Sequence, residues 1–412
     1  MPKIHWLETL GISERDAFIA FVLLFNTFSW YYCTLTIIDS ILTNPGMTSM
    51  LWIIYYSSIA LSSVFGATIS GKVNRLRFLY IWTISGTFVS LLPGLFVNIT
   101  VTSAPVLLFL LGIAFGIGMP SSLSYFADIT TVEKRGGLSG IIFLITNLSV
   151  LPIFALFSKL SLLAISLTSA AWRGLGFIIF YGLKPQERTI QETKKNISFV
   201  DVLGDRYFIL YAIPWFLFSF IDRIEGPISG NMFSRELFSS ILIIKPIIGG
   251  VFALIGGLLA DSIGRKRMVV YGFIALGVAY ATLGIAPGLM FSFYFSEIVN
   301  SIAAGIFWAI FIVVLWGDLS RHGTREKYYV IGNLPFALAS IPPILLEPYL
   351  SFIPTTAAFS LASFFLFASV LPLMYAPETL PQKKIEIKRL KGYVEQAKKF
   401  TEKYTKKNGS KS

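Results

Sequence analysis

Charged side chains interrupt several long apolar segments of this 412-residue chain. One segment contains Asp222, Arg223 and Glu225, the next contains Lys245, and a later one contains Glu297. Ionisable groups are costly to bury in such segments, so they mark paths for ions or substrates. Burial favours the neutral form of a carboxyl group, whereas a nearby cation competes with its proton. We therefore predict that Asp222 or Glu225 is a proton-coupling carboxylate.

The depths of these charges predict that they form one acid-base cluster. Asp222 lies 15 residues into its segment, which is about 22 Å along a helix. Lys245 lies 15 residues before the end of the next, antiparallel segment, so the two depths agree, and Glu297 is a further member. A second interpretation stays open, in which the charges of the first segment only cap the outer end of a helix that Gly226 and Pro227 terminate.

Arg173 lies near the middle of another apolar segment, about ten residues before Lys184. A guanidinium group binds carboxylates and phosphates through two parallel hydrogen bonds, so Arg173 is a candidate ligand for an anionic substrate. Anchoring is the alternative, because a shifted segment boundary would place Trp172 and Arg173 near the outer surface.

Polar and aromatic residues near the middle of several segments are candidates for lining a cavity. The candidates are Asn26, Trp30, Tyr31, Tyr55 and Trp308. Aromatic residues in membrane segments more often pack or lie at the interface, so we expect about a third of the set to contact substrate.

These residues are carried by twelve apolar spans. The spans cover residues 17–41, 50–69, 78–97, 104–127, 138–158, 160–183, 207–228, 237–260, 268–287, 289–316, 328–347 and 354–375. Each can cross a hydrocarbon core of about 30 Å as a helix. Apolar residues make up 55% of the chain and charged residues 14%, against about 25% charged in soluble domains. This composition excludes a soluble enzyme, a secreted disulfide-linked domain and a nucleic-acid binder.

Metal and nucleotide chemistry find no support in the sequence. Cys33, His5 and His322 are too few and too far apart for a metal site. Residues 66–75 approach a phosphate-binding loop, but Val73 replaces the metal-binding hydroxyl and no strand precedes the stretch. We therefore expect no cofactor.

Basic residues are distributed asymmetrically about the spans. Of the 34 Lys and Arg residues, 29 fall on the side of both termini, and only Lys159 and Arg235 fall on the opposite side. Short cytoplasmic loops are enriched in these residues, so we expect both termini to be cytoplasmic in a plasma-membrane protein. Contact with anionic headgroups accounts for the net charge of +12 without a nucleic-acid partner.

The longest polar interruption follows the sixth span. We predict a six-helix half over residues 1–183, a cytoplasmic linker over 184–206, a second half over 207–376 and a basic cytoplasmic tail over 377–412. In the tail, Ile387, Leu390, Val394 and Ala397 recur at helical spacing among lysines, which is typical of a helix on a membrane surface. A solvated tail is the alternative.

The two halves repeat with an offset of 190 residues. Asp128 is followed after seven residues by Arg135, and Asp318 is followed after seven residues by Arg325. Polar residues align here, so chance agreement between apolar helices is a poor explanation. Duplicated units of this kind place a substrate site at the interface between the halves.

A compact loop motif, GLLADSIGRKR over residues 257–267, follows the eighth span. Gly257 allows close helix approach, Asp261 can pair with basic groups or a helix amino terminus, and Gly264 turns the chain before Arg265 and Lys266. Together with the spans and the repeat, this motif resembles the major facilitator superfamily, which carries G-x-x-x-D-x-x-G-R-K/R in both halves.

The resemblance implies an all-α polytopic membrane protein, with twelve helices in two six-helix bundles related by a pseudo-twofold repeat. It also implies a conformational latch at the loop motif, weaker in the first half because Ser70 stands where the acid belongs. Residues 184–188 and 377–379 are similar to sugar-porter motifs. The paired glutamines of the seventh span are missing, however, and Phe143 stands where a further glutamine is expected.

The implied function is secondary transport, without enzymatic activity, of a small organic solute such as a sugar or an organic acid. Transport would proceed by alternating access, coupled to protons, in a monomer. One alternative is a drug/proton antiporter that exports amphipathic compounds, and another is a non-transporting sensor built on a transporter frame.

Overall fold

The computed structural model describes residues 14–42, 45–96, 99–186, 197–230, 235–320, 324–350 and 352–381. Within these ranges the chain is helical and contains no strand, and twelve helical stretches are long and apolar enough to cross a membrane. The predicted number of spans is therefore confirmed. His5, His322, the middle of the linker and the tail beyond residue 381 lie outside the described residues.

The twelve spans, in order, have the following helices. They are Glu14–Ile41; Pro45–Ser70; Arg75–Leu95; Ser103–Gly116 with Met119–Ile129; Arg135–Phe157; Leu162–Gly182; Arg206–Gly230; Arg235–Ile263; Arg265–Ile285; Met290–Phe307 with Trp308–Leu315 and Trp316–Leu319; Arg325–Leu338 with Ile341–Leu350; and Thr355–Ala368 with Val370–Tyr375. Short helices Val132–Lys134 and Phe199–Leu203 precede spans 5 and 7. The end at which span 1 begins and span 12 ends is called the latch end below.

Four spans begin three residues earlier than predicted, and each begins with an arginine. These are Arg75, Arg135, Arg265 and Arg325, the first residues of spans 3, 5, 9 and 11. The predicted spans start later because hydropathy places a charged residue outside a span, whereas a helix can begin at a charged residue. The positive end of the helix dipole disfavours a cation there, so these arginines require carboxylate partners.

Span 7 continues to Gly230, and Pro227 lies inside the helix. The alternative interpretation, in which Gly226 and Pro227 end the helix, was wrong, because a proline removes one hydrogen bond without terminating a helix that other packing supports.

Spans 5 and 8 join the two halves at close range through small residues. A Cβ atom at Gly140 would lie 2.6 Å from the carbonyl oxygen of Ala253, and one at Gly250 would lie 3.1 Å from Cβ of Asn147. Glycine at these positions lets the helix backbones approach closely.

Spans 4 and 10 depart from α-helical geometry at matching positions. Span 4 is interrupted at Ile117 and Gly118, and span 10 changes to a π-helix at Trp308, 190 residues after Gly118. Side chains bind the carbonyl oxygens of the π-helix: Ser139 of the opposite half donates to Ala309 at 2.9 Å. Tyr329 donates to the carbonyl of Val313 at 2.6 Å.

Candidate functional site

A cavity lies between the two halves, and spans 1, 2, 4, 5, 10 and 11 contribute to its wall. Most of the lining is aromatic or aliphatic. It includes Phe28, Tyr31, Tyr32, Phe115, Met119, Phe143, Trp308, Ile312, Tyr329 and Phe336. No charged side chain belongs to the lining among the described residues, so the cavity favours a solute with an apolar body.

Two lining residues from opposite halves present polar atoms without a hydrogen-bond partner among the described residues. They are the hydroxyl of Thr146 on span 5 and Oδ1 of Asn333 on span 11. The amide nitrogen of Asn333 donates to the carbonyl of Ile312 at 3.3 Å, which leaves its oxygen as an acceptor. Unpaired buried polar atoms are costly, so a solute that hydrogen-bonds to them would be stabilised.

Of the residues predicted to line a cavity, Tyr31 and Trp308 do so. Asn26, Trp30 and Tyr55 are buried but are absent from the lining. Periodicity could not separate these two groups, because the face of span 1 that carries Asn26 and Trp30 packs inside the first bundle.

Arg173 is fully buried within the first half and does not line the cavity. Its guanidinium carbon lies 4.4 Å from the ring centroids of both Trp30 and Trp82. Nη1 donates to Oδ1 of Asn26 at 2.9 Å and to the hydroxyl of Thr27 at 3.1 Å. Two aromatic faces and two oxygens thus stabilise the charge without a carboxylate.

The predicted acid-base cluster assembles inside the second half. Nζ of Lys245 lies 2.5 Å from a carboxylate oxygen of Glu297 and 3.7 Å from one of Glu225. The two carboxylates are 1% and 5% exposed, respectively. Asn300 lies 3.5 Å from oxygens of both Asp222 and Glu225, so Asp222 belongs to the margin of the cluster.

Arg223 is adjacent to Asp222 at the margin of this cluster, and its guanidinium group faces the first half. Its guanidinium lies 5.2 Å from the ring centroid of Phe336, a cavity-lining residue. On its own span, Arg223 interacts electrostatically with its neighbour Asp222. Among the described residues, no carboxylate lies within ion-pair distance of Arg223, which stands at the edge of the cavity.

The latch end is closed by ion pairs that connect the halves reciprocally. Arg135 pairs with Asp318 of the other half, and Arg325 pairs with Asp128. The repeated Asp and Arg residues therefore exchange partners between the halves. Seven-residue spacing alone would equally allow pairing within one half.

The loop motif occupies one corner of the latch, named here the second corner and formed by Asp261, Arg265, Asp318, Arg135 and Gly136. Asp261 accepts hydrogen bonds from the backbone of Gly136 at 3.0 Å and from Nη2 of Arg265 at 2.9 Å. Nε of Arg265 lies 3.1 Å from Asp318. The motif thus joins span 8 to the amino terminus of span 5, where a carboxylate complements the helix dipole.

Gly264 precedes span 9 and has a φ of +114°. The carboxylate of Glu378 occupies the space that a side chain at this position would need. That carboxylate accepts from the backbone nitrogens of Arg265 at 2.9 Å and Lys266 at 3.2 Å. Nζ of Lys266 donates to the carbonyl of Met374 at 2.7 Å. The residues after span 12 therefore cap span 9.

The other corner of the latch, named here the first corner, consists of Arg75, Asp128, Arg325 and Glu326. Ser70, which ends span 2 five residues before Arg75, stands where the loop motif has its acid. Arg75 pairs with Asp128 of its own half and lies 2.5 Å from the carboxylate of Glu326 in the other half. The sequence prediction did not assign Arg75, Glu326 or Glu378. The 190-residue offset between Arg75 and Arg265 was a signal that could have identified Arg75.

No protein-family profile and no curated protein sequence matches this chain. Its structure is similar to the crystal structure of the human organic anion transporter MFSD10 (TETRAN), with a TM-score of 0.69 and 14% sequence identity. The match covers 87% of this chain and 99% of that chain. The chain has the major facilitator fold. The expected arrangement of twelve helices in two six-helix bundles is thereby confirmed, whereas the sugar-porter features find no support.

Proposed function

We propose that this protein is a secondary transporter that carries a small amphipathic organic solute by alternating access. The observation that carries the proposal is a cavity between two bundles that reciprocal ion pairs join at one end. Such pairs must separate if the cavity is to open at that end. The two bundles would then rock about the cavity, as duplicated units do in secondary transporters.

The basic-residue count supports a cytoplasmic latch end, with both termini cytoplasmic in a plasma-membrane protein. The structure then corresponds to a state closed toward the cytoplasm. In this state the solute would enter from the outer side.

An organic acid with an apolar body fits the cavity better than a sugar does. A hexose presents hydroxyl groups in every direction, and the mostly apolar lining would leave many of them unpaired. Arg223 supplies a positive charge beside Phe336, where a carboxylate could bind its guanidinium. Similarity to an organic anion transporter agrees with this choice.

The cluster of Glu225, Glu297 and Lys245 supports proton coupling. Two buried carboxylates share one ammonium group, so a bound proton would relieve the remaining negative charge. In the proposed cycle the cluster takes up a proton on one side and releases it on the other as water access changes. Asp222, at the margin, contributes through Asn300.

Export of amphipathic drugs in exchange for protons is the second candidate. The observation that favours it is the aromatic lining, which suits many apolar compounds. It differs from the first candidate in its substrates: an exporter of cations would not need Arg223.

The proposal is tested with protein reconstituted in liposomes that contain a pH-sensitive dye. We expect aromatic carboxylates to acidify the interior, whereas sugars do not, and we expect the Glu225→Gln/Glu297→Gln variant to abolish the response. Proton flux driven only by amphipathic cations would favour the exporter. Binding of solutes without any uptake of labelled compound would contradict transport and favour a sensor.

A further inference from the structure

The two corners of the latch place their carboxylates differently. In the second corner, Asp261 at the end of span 8 binds Arg265 of its own half and the backbone of Gly136 and Gly137 in the other half, the latter at 2.7 Å. The motif therefore supplies the acid from the end of the helix that precedes the loop.

In the first corner the same helix end carries Ser70. Its side-chain oxygen is buried and has no hydrogen-bond partner among the described residues. Arg75, which is the counterpart of Arg265, instead meets the carboxylate of Glu326 at 2.5 Å. Glu326 lies on span 11, 190 residues after Gly136, so it occupies the position that glycine holds in the second corner.

Steric contacts explain why the second corner carries its acid on span 8 and not at residue 136. A Cβ atom at Gly136 would lie 2.5 Å from the carbonyl of Gly257 and 2.7 Å from Oδ1 of Asp261. The second corner therefore excludes a side chain at residue 136 while Asp261 is present. The first corner has a small residue at position 70 and a long acidic side chain at position 326.

We propose that Glu326 supplies the acidic group that the first-half loop lacks at Ser70, and that the Arg75–Glu326 ion pair holds the first corner closed. The exchange has a mechanical consequence. Arg265 and Asp261 belong to one half, whereas Arg75 and Glu326 belong to different halves. The relocated acid thus adds an ion pair that must break whenever the halves separate at the latch end.

The inference concerns the latch of the proposed transporter, but its test requires no substrate. Spin labels at Lys72→Cys and Tyr207→Cys, two exposed positions on opposite halves at the latch end, report their separation in a Cys33→Ser background. Pulsed electron spin resonance then gives the ratio of separated to closed populations in lipid. Transport could fail for other reasons without changing this ratio.

We expect Glu326→Gln to raise the ratio about tenfold, as loss of a coupled pair does, and Ser70→Asp/Glu326→Gln to return it close to the starting value. Rescue should disappear when Arg75→Gln is added. Asp39→Asn, which removes an acid from the opposite end of span 1, is the matched control and should change nothing.

An unchanged ratio in Glu326→Gln would overturn the proposal, and so would a raised ratio that Ser70→Asp does not reduce. If Glu326→Gln does not yield folded protein, the rescue is read from recovery of a monodisperse species by size-exclusion chromatography. Failure of Ser70→Asp to restore that species would equally overturn it.

Discussion

At the scale of single residues, the chemistry depends on which charges have partners. Glu297 is 1% exposed and shares Lys245 with Glu225, so neutralising it removes a site for the proposed proton. We expect Glu297→Gln to lower proton-coupled uptake about tenfold, or about 1.4 kcal/mol, and to flatten the dependence of uptake on external pH. The assay is solute-driven acidification of liposomes. Glu297→Asp, which keeps the carboxylate, is the control and should retain part of the pH dependence.

Arg173 is the residue for which burial decides between two interpretations. It lies between two tryptophan rings inside the first bundle, away from the cavity lining, which favours anchoring. We expect Arg173→Gln to reduce the free energy of unfolding by about 2–3 kcal/mol through loss of cation–π contacts and charged hydrogen bonds. Thermal unfolding in detergent measures this loss. A normal unfolding temperature with a weakened apparent affinity for an anionic solute would instead favour substrate binding.

At the scale of helices, glycine determines how closely the halves approach. A Cβ atom at Gly140 would collide with the backbone of span 8, at 2.6 Å from the Ala253 oxygen and 2.8 Å from Cα of Leu254. We therefore expect Gly140→Ala to destabilise the protein by about 1–3 kcal/mol. Gly182→Ala is the matched control, because no atom of the described residues outside its own helix turn lies within 4 Å of its added Cβ. Equal unfolding temperatures for the two variants would show that spans 5 and 8 can separate without cost.

The interruptions of spans 4 and 10 differ in how visible they are in the sequence. Gly118 and Pro120 make the interruption of span 4 predictable, because both residues weaken a regular helix. The π-helix from Trp308 to Leu315 has an uninterrupted apolar sequence, WAIFIVVL, with no breaker. Its geometry depends on donors from other spans, such as Ser139 and Tyr329, and no local pattern could predict it.

At the scale of the whole molecule, the latch has one buried and one partly hydrated corner. Asp318 is fully buried with Arg135 and Arg265, whereas the side chains of Asp128 and Arg75 are each 15% exposed. We expect Asp318→Asn to cost about 3–5 kcal/mol of unfolding free energy, since it leaves two buried arginines without their shared carboxylate. Asp128→Asn should cost about 1–2 kcal/mol, because water screens the first corner. Chemical unfolding in mixed micelles compares the two, and a larger loss for Asp128→Asn would contradict this order.

Composition and periodicity by themselves determined that twelve helices cross the membrane, because a long apolar segment has few other stable structures in lipid. The 190-residue offset also identified Asp128, Arg135, Asp318 and Arg325 as related, since duplicated polar residues stand out among apolar ones. Depth along each helix predicted that Asp222 and Lys245 lie at the same level, with Glu297 as a further member of the cluster.

Only the tertiary structure decided how each helix is oriented about its axis and which helices it packs against. These two features determine which side chains face the cavity. It directed Arg173 into the first bundle and Arg223 toward the cavity, although both are arginines in apolar spans. It also decided that the repeated Asp and Arg residues pair between halves, and that Glu326 meets Arg75. These outcomes depend on contacts between residues that are far apart in the chain. The spacing of residues within a single helix carries no information about such contacts.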